Sequence, residues 1–124
     1  MNNRIIKFRA WDKKRGRVVD VSIIDFVEKY VIVTDEFKWN EDKETGEAEC
    51  QIYFKDLELM QFTGLYDKNG KGIYESDLVK YKNRVWEVRY YYGGFNLFEK
   101  DTKCADFNSW WEQVEVVGNI YESN

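Results

Sequence analysis

A mainly antiparallel β protein is the fold class this sequence predicts. A β-rich N-terminal part, residues 1–62, is joined to a small SH3-like β-barrel, residues 63–124, with at most short helices. Three observations carry the prediction. Most segments alternate apolar and polar residues with period two and use β-branched or aromatic side chains. Turn signatures recur at short intervals, as at Lys13-Lys14-Arg15-Gly16, Asp67-Lys68-Asn69-Gly70, Lys82-Asn83 and Gly93-Gly94. Proline is absent, and no linker-like or repetitive stretch separates the two parts. Halves of this size bury little surface alone, so one cooperative folding unit is expected.

In Ile6-Lys7-Phe8-Arg9-Ala10-Trp11 the apolar Ile6, Phe8 and Ala10 face one way while Lys7 and Arg9 face the other. A solvated turn at Lys13–Gly16 leads to the extended Val18-Val19-Asp20-Val21. Residues 22–30 support two readings, because Ile23, Phe26, Val27 and Tyr30 also fall at helical spacing. Tyr30-Val31-Ile32-Val33-Thr34 is apolar on both faces and reads as a central strand, with Phe37-Lys38-Trp39 extending it. A polar hairpin loop over 40–47 returns the chain as Cys50-Gln51-Ile52-Tyr53-Phe54. Leu57–Phe62 is a further strand ending at a Thr63-Gly64 turn.

In the second part, Asp67–Gly70 is a tight turn, since Asn and Gly tolerate the positive φ it requires. Leu78–Tyr81 and Arg84–Tyr90 form a hairpin around Lys82-Asn83. Gly93-Gly94 starts the next turn, Phe95–Phe98 is a short strand, and Val114–Tyr121 closes the set. The acidic-aromatic stretch 100–113 is a loop or a single helical turn.

Composition narrows the function. Aromatics at 18% allow few side chains to fill a small interior, and charged residues at 34% supply a solvated surface. The formal charge of −4 creates no global attraction for nucleic acid or an anionic membrane. No apolar run approaches the roughly 20 residues of a membrane span, and Met1-Asn2-Asn3-Arg4 lacks a secretory apolar region, so a cytoplasmic location is expected. Histidine is absent, which excludes Ser-His and Cys-His nucleophilic machinery within the chain. Cys50 and Cys104, the only cysteines, cannot complete an all-cysteine zinc site. Cys50 reads as a small buried hydrophobe, and Cys104 lacks an activating histidine. Neither an enzyme nor a cofactor is expected.

The run Thr63-Gly64-Leu65-Tyr66-Asp67-Lys68-Asn69-Gly70-Lys71-Gly72-Ile73-Tyr74-Glu75-Ser76-Asp77-Leu78-Val79-Lys80-Tyr81, with Ile6–Asp12 before it and Val117-Gly118-Asn119-Ile120-Tyr121-Glu122 after it, resembles the YopX family of phage and prophage proteins. The resemblance spans nearly the whole chain. It implies a phage- or prophage-encoded protein in a bacterial host cell, and no catalytic residue, because the family has no established activity. Two positions depart from the family pattern. Ser76 stands where glycine is common, which argues against a strict positive-φ requirement there, and Gly72 stands where an acidic residue is common.

Three groups of residues are candidates for function. The carboxylates Asp67, Glu75 and Asp77 could hold Mg2+ or Ca2+, or could simply bond turn and strand amides; the second reading is preferred, since no base or nucleophile accompanies them. Lys80, Lys82, Arg84 and Arg89 crowd one hairpin beside Tyr90, Tyr91 and Tyr92, a pattern suited to phosphates and stacked bases or to a plain solvated face. Strand alternation puts Tyr90 and Tyr92 on one face and Tyr91 on the other. In Phe107-Asn108-Ser109-Trp110-Trp111 the adjacent tryptophans diverge on either a strand or a helix, so one is expected at a contact surface unless the loop folds back to bury both. Trp11 and Trp86 lie in strand patterns and are expected in the core.

The expected role is a non-enzymatic protein-interaction or self-assembling module, a homo-oligomer or one that meets a host or phage protein. Trp110, Trp111, Tyr90, Tyr91 and Tyr92 are its contact candidates. The alternative is a nucleic-acid-binding module using residues 80–92, and a metal-dependent enzyme ranks third.

Overall fold

A computed structural model describes residues 5–38, 45–103 and 110–122. The chain forms two compact units, Lys7–Leu59, and Met60–Asn124 with Met1–Ile6. Strands dominate both, and among the described residues helical structure is limited to two single 3-10 turns. Among the described residues no helix is long and apolar enough to cross a membrane.

The first unit contains β1 (Phe8–Asp12), β2 (Arg17–Asp25), β3 (Tyr30–Lys38), β4 (Thr45–Tyr53), a 3-10 turn (Phe54–Asp56) and the start of β5 (Leu57–Tyr66). Its strands lie in the order β4-β3-β2-β1-β5. The β1–β2, β2–β3 and β3–β4 pairs are antiparallel. Register pairs Ala10 with Val19, Val31 with Ile52 and Val33 with Cys50, so period-two alternation delivers one apolar face. Ala10, Val19, Val31, Val33, Ile52 and Leu57 form the resulting core, against which Cys50 packs half-buried. Trp11, expected in the core, is half-buried.

The helical reading of residues 22–30 is not realised. β2 runs to Asp25, a turn covers 26–29, and β3 starts at Tyr30. Asp25 builds the turn: its Oδ1 accepts from the amides of Val27 (3.0 Å) and Glu28 (2.8 Å), and its carbonyl accepts from the Lys29 amide (2.8 Å). Lys29 has φ +63, which no helix accommodates. A bulge between Val21 and Ile23 resets the alternation, so the apparent helical stripe is a bulge followed by a hairpin turn. Ile23, Phe26 and Val27 are consequently exposed. β4 starts at Thr45, within the loop expected over 40–47, and residues 39–44 lie outside the described ones.

In the second unit β5 continues and pairs antiparallel with β6 (Gly72–Tyr74). Thr63-Gly64, expected as a turn, is instead an irregularity inside this pair, where the register shifts between Phe62 and Tyr66. Gly64 takes φ +87 there, and Thr63 Oγ1 donates to the Ile73 carbonyl (2.7 Å) and accepts from the Leu65 amide (3.1 Å).

β7 (Asp77–Tyr81), β8 (Arg84–Tyr91), β9 (Gly94–Glu99) and β10 (Thr102–Lys103) form a meander, and β11 (Glu115–Asn119) returns beside β7. The order β10-β9-β8-β7-β11 leaves an open antiparallel sheet, so the closed barrel expected for 63–124 is not among the strand pairings of the described residues. Two of the two-residue hairpins have both central residues at positive φ, Lys82 (+52) with Asn83 (+64), and Tyr92 (+46) with Gly93 (+83), while the β9–β10 turn Lys100-Asp101 has only Lys100 (+54) there. The geometry of the first two matches the twist of the flanking strands. The core is Ile73, Val79, Tyr81, Val88, Leu97, Trp110 and Val114, with Leu65, Trp86, Phe95, Trp111 and Val116 half-buried around it.

Candidate functional site

The β8–β9 hairpin carries aromatic residues on both faces and at its tip. Val88 points into the core, and Tyr90, two residues on, shares that face but projects past its end, 58% exposed. Its ring meets Phe95 edge-on at 5.4 Å, in register with the Tyr90–Phe95 strand pairing. On the opposite face Tyr91 and Arg89 cover the buried Phe98, with ring centroids at 5.3 Å for Tyr91 and the guanidinium carbon 4.8 Å from the ring. Tyr92 does not continue the alternation. It occupies the turn, 92% exposed, with its ring edge-on to Tyr91 at 4.3 Å. Tyr91 and Tyr92 therefore touch, where strand spacing had put Tyr92 with Tyr90. The Asn96 amide donates to the Tyr91 and Gly94 carbonyls at 3.3 and 3.4 Å, bracing the tip.

The basic residues of the hairpin do not form one surface. Arg84 pairs with Glu99 at 3.1 Å. Arg89 pairs with Glu87 at 3.0 Å and reaches Asp101 at 3.6 Å. Both guanidinium groups thus already face carboxylates, which weakens the field they offer a phosphate backbone. Lys80 and Lys82 lie at the Arg84 end of β8, away from Tyr90–Tyr92, where they border a concavity with Lys68, Asn83, Gln113 and Glu115. Sequence reading missed Lys68, Gln113 and Glu115 here, because only the strand register brings three distant segments together.

Trp110 is only 2% exposed and belongs to the core. Its reading as a contact residue is corrected accordingly. Trp111 is half-buried, with its ring edge-on to Trp110 at 6.3 Å. The 3-10 turn Trp110–Glu112 folds the segment back over the sheet, sealed by the Gln113 amide donating to the Trp110 carbonyl at 3.0 Å. Residues 104–109, including Cys104 and Phe107, lie outside the described ones.

The carboxylates build turns. Asp67 Oδ1 accepts from the amides of Asn69 (2.8 Å) and Lys71 (2.9 Å), and Oδ2 accepts from the amide of Val116 (2.9 Å). Burial alone would raise its pKa, but the three amides and the Lys71 ammonium outweigh that, holding the carboxyl below its ordinary value. Asp77 Oδ2 accepts from the Tyr74 amide (2.8 Å), and Glu75 Oε1 from the Gln61 amide (3.4 Å). Among the described residues no three Cys, Asp or Glu side chains gather as a group that could hold a metal ion.

A family model described as YopX protein matches residues 7–124. The chain belongs to the YopX family. Among solved structures, the crystal structure of protein EF1440 from Enterococcus faecalis is similar, with TM-score 0.64 and 26% identity, covering 97% of this chain and 96% of that one. No curated protein matches the chain.

The YopX motif explains a strained serine. Ser76 has φ +72, so the position does require the left-handed conformation for which glycine is suited, contrary to the expectation from its side chain. Its amide donates to the Val88 carbonyl (2.8 Å) and its carbonyl accepts from the Ile120 amide (3.0 Å), which fixes the backbone between β8 and the C-terminal turn. Ser76→Gly is expected to raise stability by about 1 kcal/mol, less the contribution of the 3.5 Å hydroxyl contact with Tyr121. Urea denaturation checks this, and a destabilised variant would show that the hydroxyl contact outweighs the strain. At Gly72 an added Cβ would lie 3.0 Å from the Phe62 ring, so the acidic residue common in the family requires that ring to shift.

Proposed function

We propose that this YopX protein is a non-enzymatic binding module whose contact surface is the tip of the β8–β9 hairpin, Tyr90, Tyr91 and Tyr92, and that a second copy of the chain is its first partner to test. The observation that carries the reading is Tyr92, an aromatic residue 92% exposed and held at φ +46. A non-glycine residue there costs roughly 1 kcal/mol, and the largely exposed ring offsets only part of that through its edge-on contact with Tyr91. Strain at an exposed aromatic is accounted for by a contact outside the chain. Tyrosines suit such contacts, since they bury large area with few rotatable bonds and keep a polar hydroxyl. The tip is also rigid, braced by Asn96 and backed by Phe95 and Phe98.

We read the five-stranded sheet as an opened SH3-like meander, and a phage or prophage setting accords with the family. The nucleic-acid reading is less well supported, because Arg84 and Arg89 are ion-paired.

A photoreactive phenylalanine analogue at position 92 tests the proposal. Irradiation should give a protein adduct that is absent with the analogue at Lys71, which is exposed away from the tip. A nucleic-acid adduct, or equal adducts from both positions, would overturn the reading. Tyr92→Asn should raise the unfolding free energy by about 0.5–1 kcal/mol, since Asn tolerates the left-handed turn, while removing the adduct-forming contact. Denaturation of Tyr92→Asn, and cross-linking of that variant with the analogue placed at Tyr90 instead, check both halves.

A further inference from the structure

A second surface lies at the other end of β8. Three segments meet there around a concavity of about 290 Å³: Lys68 from the β5–β6 turn, Lys80, Lys82 and Asn83 from β7 and its hairpin, and Gln113 and Glu115 at the entry to β11. We propose that this concavity binds a phosphate-bearing anion. Its wall holds three ammonium groups and two neutral amides against one carboxylate.

That carboxylate, Glu115, is shared. It lies directly opposite Lys80 across the β7–β11 pair and 3.7 Å from the Lys68 ammonium. One negative charge thus faces at least two lysines, and Lys80 has no ion pair among the described residues. In a chain of net charge −4, a concavity with an excess of two positive charges is a local reversal of sign.

The backbone supports the assignment. Lys82 takes φ +52 at a position where Asn or Gly is the low-strain choice, so this lysine is presented at a conformational cost. Its stem lies beside Tyr81, with the ammonium 5.2 Å from the ring centroid. Lys68 is anchored through its amide, which donates to the Val114 carbonyl at 3.0 Å. Two of the three amines therefore start from fixed backbone positions, which lowers the ordering cost of gathering them around an anion. Lysine is a point-charge phosphate binder, and Asn83 and Gln113 add amide donors.

The site is separate from the tyrosine tip. Arg84 and Tyr91 are the ends of β8, roughly 23 Å apart at about 3.3 Å per residue, and neither proposal needs the other.

Amide NMR titration with inorganic pyrophosphate at low salt tests it. Saturable shifts are expected at Lys68, Lys80, Lys82 and Asn83 and not at Tyr90–Tyr92. Lys80→Ala with Lys82→Ala should weaken binding about tenfold or more, and Glu115→Gln should tighten it about threefold by removing the opposing charge. The lysines are exposed, so the double variant should melt close to the wild type. A short oligothymidylate binding more tightly than pyrophosphate, through the same amides, would identify a nucleic-acid phosphate as the source. Equal or weaker binding would identify a free phosphate compound. Absence of saturable shifts, shifts centred elsewhere, or affinity unchanged in both variants would overturn the proposal.

Discussion

Asp67→Asn is expected to lower the unfolding free energy at neutral pH by about 2–4 kcal/mol, although the replacement is nearly isosteric. The carboxylate is 6% exposed and accepts three backbone N–H bonds, two within its own turn and one from Val116 on β11. An asparagine offers one acceptor oxygen and an NH2 group, so an N–H donor faces either Val116 or the turn amides, and a buried donor is left unpaired. The wild type should also lose stability in acid. Its folded-state pKa is depressed, so the contribution is complete above the unfolded value of about 3.9 and is lost as pH falls through the folded value. Asp12 has a depressed pKa too: burial opposes the shift, and Arg15 and the amides of Arg15 and Lys14 prevail. The Asp67→Asn variant should therefore retain part of the acid sensitivity, with a shallower decline. Urea midpoints at neutral and acidic pH measure both effects, and a variant matching the wild type at each pH would contradict the assigned role.

Trp110→Ala is expected to lower stability by about 3–5 kcal/mol, the range for removing a large aromatic from a packed interior. Trp110 packs with Val88, Leu97 and Val114 in the second unit's core. Trp111→Ala should cost less, because that ring lies half-buried at the margin. Denaturation followed by far-ultraviolet circular dichroism separates the two. Were Trp110 a contact residue, its removal would leave the midpoint unchanged and weaken association instead.

The aromatic pair shows where sequence reading stops. Adjacent tryptophans must diverge, but which of them enters the core depends on how the 3-10 turn docks, and no local pattern specifies that. Asp67 was legible as a turn residue from Asp67-Lys68-Asn69-Gly70, whereas its bond to Val116 spans 49 positions and is set by the approach of β11. The strands in 30–34, 78–81 and 84–90 were legible because period-two alternation and β-branched residues agree with the tertiary pairing there. In 22–30 they disagree, since a bulge shifts the phase and mimics helical spacing. At the candidate site a one-residue error mattered. Gly93-Gly94 suggested the next turn, but the turn is Tyr92-Gly93, which turns Tyr92 from a strand residue into an exposed tip. The lysine concavity was half legible, through Lys80 and Lys82, and its remaining members needed the register of β7 with β11.

Sedimentation equilibrium of the wild type beside a Tyr90→Ser/Tyr92→Asn variant tests the binding-module account most directly. The account predicts concentration-dependent self-association of the wild type and a monomeric variant that remains folded. A wild type that stays monomeric at the highest concentrations, or a folded variant that associates equally well, would contradict the tyrosine tip as a self-association surface.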